Sequence, residues 1–358
     1  MNWDAFTLFL EINRLAPHFA ILAKRLPVVF PEEVKQKLKN ARYDNLLYGD
    51  KCKLQVQQVL KALANASIPV IVLKGWAVIQ WLYGGDHGQR FCEDIDILVP
   101  LPFKEAAENV LQEEGYKAVN EVDPGFLDRF SNAKAYVKKG EQPTRWRQFS
   151  IGFHWGLTHF PFYDRSRLNT SQLFERRLPL LIAGVESAEL SLEDQLIYTC
   201  AHLALHHRNE ETLLHYFEIA MLLRRAGADL DWPMVLSRAR EWGYLAQLRV
   251  VILTVHSLWN QVLDLQLAES LDQISIPWKE RVLDHLVAGV KGNRIRGALV
   301  TVLALPGFGN KLRAVGHHLF PSRKYMEQRY KKERGSLIHL YWLRISGAFL
   351  TLLRRKGK

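Results

Sequence analysis

Residues 73–99 read LKGWAVIQWLYGGDHGQRFCEDIDILV, and this stretch decides the fold. It begins at the end of Val70-Ile71-Val72-Leu73, a short β-branched run that predicts a buried strand. Residues 76–83 predict a short helix, and Gly84-Gly85-Asp86-His87-Gly88 a flexible loop. Ile95, Ile97 and Val99 then alternate with Asp94, Asp96 and Leu98. That alternation predicts a second strand over 94–99, ended by Pro100. Residues two apart on a strand share a face, so Asp94 and Asp96 project together.

Working outward, residues 1–65 read as helices, with Val56, Val59, Leu60 and Leu63 at the spacing of one helical face. Residues 102–115 predict a helix carrying Phe103, Ala106, Ala107, Val110 and Leu111 on its apolar side. Residues 116–160 look β-rich, and Phe149, Ile151, Phe153 and Trp155 face one way along a strand. From Ser191, an N-cap followed by the acids Glu193 and Asp194, the chain turns helical. A helical pattern runs over 194–225 with a break near 208–211, and helices continue over 231–290. The fold class is α+β: a small mixed β-sheet core with flanking helices and a mainly helical C-terminal half. The segments divide as 1–65 helical, 66–188 the α/β core, 189–310 a helical domain, and 311–358 a basic helical tail.

Hydrophobic residues make up 48% of the 358 and charged residues 24%, which excludes collagen-like and wholly disordered chains. The three cysteines, Cys52, Cys92 and Cys200, are far apart and form no CxxC, so a reducing, cytoplasmic setting is the simpler reading. The N-terminus carries acids within its apolar stretch and does not read as a signal peptide. Residues 311–358 hold 13 Lys/Arg against two acids, which is the whole net charge of +11. A neutral body argues against a surface built to grip nucleic acid. The basic tail, with the apolar run 337–353 around Arg344, suits either packing on the body or an anionic membrane surface through residues 336–358. A run of that length with a central arginine is a poor membrane span.

The chemistry follows from residues 73–99. Two neighbouring carboxylates repel unless a cation intervenes, and hard oxygen ligands suit Mg2+ or Mn2+ carried with a nucleoside triphosphate. Asp94 and Asp96 are therefore the metal-ligand candidates. Gly75, at the strand-to-helix junction, lets the backbone approach a phosphate beside a helix N-terminus. Lys74 and Arg90 bring positive charge to the same region.

This order of features resembles the nucleotidyltransferases of the DNA polymerase beta superfamily. More closely it is similar to a bacterial nucleotidyltransferase-like family marked by Lys-Gly, a helix, Tyr, Arg and Asp-x-Asp. Trp76 stands where the superfamily usually has a small residue, which predicts crowding of the phosphate turn. The resemblance extends through Phe153-His154-Trp155, through His202, His206 and Glu218 as residues lining the cleft, and to Phe320-Pro321-Ser322. It implies Mg2+-dependent transfer of a nucleoside monophosphate from an NTP to a hydroxyl acceptor, a small molecule, peptide or protein rather than nucleic acid. Asp94, Asp96 and His154 would be catalytic.

One departure matters. The superfamily places a third carboxylate two residues before the His of His-Trp, and here that position is Gly152. Two expectations stand beside each other. Either His154 or a remote acid such as Asp164 takes the missing role, or the chain is a catalytically impaired nucleotide-binding or scaffold protein. On the second, Gly152→Asp creates activity.

Overall fold

The computed structural model describes residues 2–119, 129–139, 148–157, 168–206, 212–259, 263–288, 307–330 and 336–344, with isolated positions at 126, 299–300, 302–303, 305 and 346. Its strands are β1 (Ile71–Leu73), β2 (Asp94–Leu98), β3 (Lys117–Ala118), β4 (Ala133–Lys139), β5 (Gln148–His154), β6 (Leu178–Ile182) and β7 (Val185–Glu189). They form one seven-stranded mixed sheet in the order β3-β4-β5-β2-β1-β7-β6. β1 runs antiparallel to β2, and β2 runs parallel to β5. The register sets Leu73 beside Asp96, Asp96 beside Gly152, and Leu98 beside His154.

Alternation divides the sheet into two faces. Val72, Ile95, Ile97, Ile151 and Phe153 pack into one core with the long helix Glu32–Asn65. That helix contributes Val56, Val59, Leu60 and Leu63, all nearly free of solvent, each supplying about 1.5–3 kcal/mol on burial. Ile71, Leu73 and Leu98 belong to the other core, with helices of the C-terminal half. Asp94, Asp96, Gly152 and His154 fall on this second face, between the sheet and those helices.

The helices Leu192–His206 and Leu213–Ala226 bracket the predicted break, with 207–211 outside the described residues. Ser191 caps the first of them, accepting from the Asp194 N–H at 3.4 Å. Asp194 is fully buried because Arg176 and Arg238 neutralise it, at 3.0 and 2.9 Å. Trp232–Trp242, Leu245–Leu258, Leu265–Gln273 and Trp278–Ala288 continue the helical half.

Three local expectations change. The helix predicted over 102–115 starts later: a 3-10 turn, Leu101–Phe103, precedes the helix Lys104–Glu113. Phe103 sits in that turn and is 38% exposed, while Ala107 and Leu111 reach the core. The loop at 84–88 is tied down rather than flexible. Arg42 pairs with Asp86 at 2.8 Å, and the Asn45 side chain donates to the His87 carbonyl at 2.9 Å. The hairpin β6–β7 turns on Ala183-Gly184, both with positive φ, and the alternation along 178–189 was not read as strands.

At the C-terminal end, the helix Phe308–Leu319 is followed by Arg323–Tyr330 and by helical residues 337–344. Leu340 packs on Tyr325 and Met326, Tyr341 donates to the Pro321 carbonyl, and Arg344 donates to the His318 carbonyl. The start of the apolar tail run thus lies on the preceding helices, while most of 345–358 falls outside the described residues. No helix among the described residues is long and apolar enough to cross a membrane.

Candidate active site

Asp96 is the hub. Its Oδ2 lies 3.2 Å from Lys74 Nζ, and its Oδ1 lies 3.0 Å from His154 Nε2. Burial alone would push this carboxyl up, but the Lys74 ammonium and the His154 N–H hold it well below the usual carboxylate range. Asp94 shares the strand face yet has no hydrogen bond or ion pair from its side chain among the described residues. It is open to solvent at the head of β2. Lost hydration, then the Asp96 charge, raise its carboxyl to about 6. Asp96 is engaged through both oxygens, and Asp94 presents its carboxylate beside it.

His154 is fully buried, and burial lowers its pKa despite the bond to Asp96. It is a neutral ring donating from Nε2 to a carboxylate. The place of the missing third acid is occupied: a Cβ on Gly152 would come within 2.0 Å of Asp96 Oδ1. Asp164 lies outside the described residues.

Lys74 opens the helix Lys74–Tyr83 and is the strained residue of the turn, with φ +48°. A left-handed lysine of this kind costs of order 1–3 kcal/mol. The helix start carries no side-chain cap, so its first N–H groups have no side-chain acceptor of that kind. Gly75 is required for a further reason beside the one read from sequence. A Cβ there would lie 2.4 Å from Cys92 Sγ and 3.1 Å from Arg90 Nη1, so the glycine makes room for protein atoms behind it. Trp76 does not crowd the turn: it is buried in the core beneath the sheet, near His87.

Arg90 and Glu218 meet, but behind the turn rather than in the open cleft. Arg90 Nε and Nη2 donate to the two Glu218 oxygens at 2.6 and 3.1 Å, and the Tyr83 hydroxyl adds a bond at 3.2 Å. Burial works against the Arg90 charge, and the Glu218 carboxylate more than offsets it. His202 lies on its helix beside Tyr198, ring centroids 5.9 Å apart; of the His206 side chain nothing is described. Tyr198 was missed from sequence. It is fully buried, Lys74 Nζ stands 5.8 Å over its ring, and its hydroxyl has no hydrogen-bond partner among the described residues. Burial, then Asp96, Tyr244 and Asp94, raise its pKa well above the ordinary value. Its place four residues before His202 on one helix face was the available signal.

A fold with an Asp-x-Asp strand beside an uncapped Lys-Gly helix start defines a nucleotidyltransferase-like protein. The chain belongs to the family described as uncharacterised nucleotidyltransferases, whose model matches residues 1–260. The match takes in the N-terminal helices and ends before the Phe320-Pro321-Ser322 stretch. No curated protein matches the chain. Among solved structures, an antigenic nucleotidyltransferase-like protein from Paracoccidioides brasiliensis is 15% identical, with a TM-score of 0.39 over 62% of this chain and 93% of that one. A solution structure of the antibiotic-resistance factor ANT(2'')-Ia is 12% identical, with a TM-score of 0.34 over 58% and 92%. A crystal structure of ANT(2'')-Ia with adenylyl-2''-tobramycin is 14% identical, with a TM-score of 0.35 over 53% and 95%.

Proposed function

We propose that the chain transfers a nucleoside monophosphate from an NTP to a hydroxyl of a small molecule, peptide or protein. The observation that carries this reading is the pair Asp94 and Asp96: a solvent-open acid two residues from a buried one that already holds Lys74, the residue opening an uncapped helix start. The donor set fits a divalent ion, since Asp94 is open and Asp96 is already held ionised. Mg2+ or Mn2+ bound by Asp94 and Asp96 would supply positive charge to the phosphates. No group of three or more acidic, His or Cys ligands occurs among the described residues, so substrate oxygens and water complete such a site.

The protein's own groups divide the remaining work. Lys74 exchanges Asp96 for a phosphate oxygen when nucleotide enters. The hydroxyl oxygen forms a bond to the α-phosphorus, the bond to the α–β bridging oxygen breaks, and pyrophosphate leaves. Asp94 is the carboxylate open to receive the hydroxyl proton. His154 acts through Asp96 as a positioning residue, because its ring is buried and its Nε2 is occupied. Arg90 stiffens the Gly75 turn from behind through Glu218.

The experiment is incubation with α-labelled triphosphates and Mg2+, scored as pyrophosphate release and label transfer. Turnover above that of Asp94→Ala/Asp96→Ala supports the enzyme. Equal turnover together with nucleotide-dependent thermal stabilisation supports the impaired, nucleotide-binding alternative.

A second contact, with an anionic bilayer, is favoured by the C-terminal helices. Phe308, Leu312, Val315 and Leu319 form one exposed row on the helix Phe308–Leu319, opposite the buried Ala314. Ile338 and Trp342, four apart on the next turn of apolar sequence, are also exposed, and the tail holds the whole net charge. Co-sedimentation with anionic but not zwitterionic vesicles, lost in Phe308→Ser/Leu312→Ser, is the expected result; unchanged sedimentation overturns it.

A further inference from the structure

A cavity of about 260 Å3 lies between the helices Lys74–Tyr83, Leu192–His206 and Leu213–Ala226 and the end of β7. None of Lys74, Asp94, Asp96, His154 or Tyr198 lines it. Its walls are mainly apolar, with Val78, Trp81, Leu190 and Leu222 among them. It exceeds the ~150 Å3 that holds benzene in an apolar core, so a two-ring aromatic group fits.

Two residues on this wall carry acceptors without partners. The Glu189 carboxyl is half-buried on the cavity wall and makes no ion pair or hydrogen bond among the described residues. Burial pushes it up to about 7, with only partial relief from the Arg225 charge. Arg225 is on the same wall but is held by Trp81, bonding to its carbonyl and lying 5.1 Å over its ring. Gln195 Oε1 is buried without a partner. Its orientation is fixed by its neighbour. The Thr199 hydroxyl donates to the Gln195 backbone carbonyl at 2.8 Å, so it accepts from Gln195 Nε2 at 3.2 Å and leaves Oε1 as the unsatisfied atom. The Gln195 atom has no accessible surface, so the Glu189 carboxyl is the group within reach of a ligand, and a cationic donor relieves it.

We propose that this cavity is a second ligand site that binds a small aromatic amine, its ring against Trp81 and Leu222 and its ammonium on Glu189. Glu218, which holds Arg90 behind Gly75, also lines the cavity, so the two sites share a wall.

The test is calorimetric titration of the full chain with tryptamine, with tryptophol as the uncharged analogue and indole-3-acetate as the acidic one. Tryptamine binds, tryptophol binds at least tenfold more weakly, and indole-3-acetate gives no heat. Glu189→Gln brings tryptamine down to the level of tryptophol, while Asp94→Asn leaves tryptamine binding unchanged. Leu222→Phe, which narrows the cavity without touching either acceptor, weakens tryptamine and tryptophol together. Absence of tryptamine binding to the folded parent chain overturns the proposal. So does equal affinity for amine and alcohol, or loss of binding in Asp94→Asn but not in Glu189→Gln.

Discussion

The Asp96 side chain fills the space beside Gly152: a Cβ at residue 152 would stand 2.0 Å from Asp96 Oδ1 and 3.2 Å from His154 Nε2. The two residues are register partners on β2 and β5, so neither backbone can move away without breaking the central pairing of the sheet. The glycine is therefore the room that lets Asp96 and His154 meet. Gly152→Asp is expected to displace Asp96 and lose the His154 bond. It lowers stability by about 1–3 kcal/mol, as overpacking does, and gives no gain in turnover. Gly152→Ala shows the same loss without the added charge. Thermal melts and pyrophosphate release check this; a more active Gly152→Asp with unchanged melting temperature would overturn it and restore the simple lost-acid account.

The unpartnered Asp94 makes a pH-resolved prediction. Its folded pKa, about 6, lies above the ordinary carboxylate value, so the folded state holds the proton more tightly. Its contribution to stability is fully present below pH ~4 and falls as pH rises towards 6. Asp94→Asn removes this dependence. Its melting temperature matches the parent near pH 4 and exceeds it by about 1–3 °C at pH 7. Millimolar Mg2+ is expected to stabilise the parent at pH 7 and to leave Asp94→Asn unmoved. A Mg2+ shift of equal size in both proteins would remove Asp94 from any metal site.

Much of this was readable from residues 73–99, because strands announce themselves by alternation. The common face of Asp94 and Asp96 follows from their spacing alone. What the sequence could not convey is pairing between distant segments. Nothing near Arg90 indicates that Glu218, on a helix of the second half, would claim it. Nothing near Gly152 indicates that Asp96 would lean into its space. At Gly75 the need for glycine was legible, but one cause of it was not: Cys92 Sγ presses on the position, a contact set by the return of the loop before β2. Tyr198 was hidden for the opposite reason, since an aromatic among Leu196, Ile197 and Ala201 reads as ordinary core.

The Arg90–Glu218 pair separates a structural from a ligand-binding arginine. Both groups are buried and bidentate, so removing one leaves an uncompensated charge at a cost of about 3–5 kcal/mol. Glu218→Ala and Arg90→Met are each expected to show this loss in urea denaturation. The double variant Arg90→Met/Glu218→Leu recovers most of it, since apolar replacements remove both desolvation penalties. With the fold restored, the double variant keeps nucleotide affinity within about threefold. A larger loss would show that Arg90 reaches phosphate in the bound state.

Lys74 couples the acid limb of stability to nucleotide binding. Asp96 has a depressed folded pKa, so its contribution is present above the unfolded value near 4 and is lost as pH falls below it. Lys74→Met removes the charge that does most to depress it. The variant is less stable than the parent at pH 7, by about 3 kcal/mol for a partly buried pair, and the difference closes towards pH 2. The left-handed turn at 74 is kept in the variant, so its strain persists, and the loss reads the ion pair alone. Affinity for a non-hydrolysable NTP falls by about 10- to 100-fold at pH 7.5, as for loss of a charged hydrogen bond to phosphate. The two readouts are independent. A variant with the altered acid limb but parental affinity would confine Lys74 to Asp96 and transfer the phosphate role to the backbone N–H groups of the uncapped helix start.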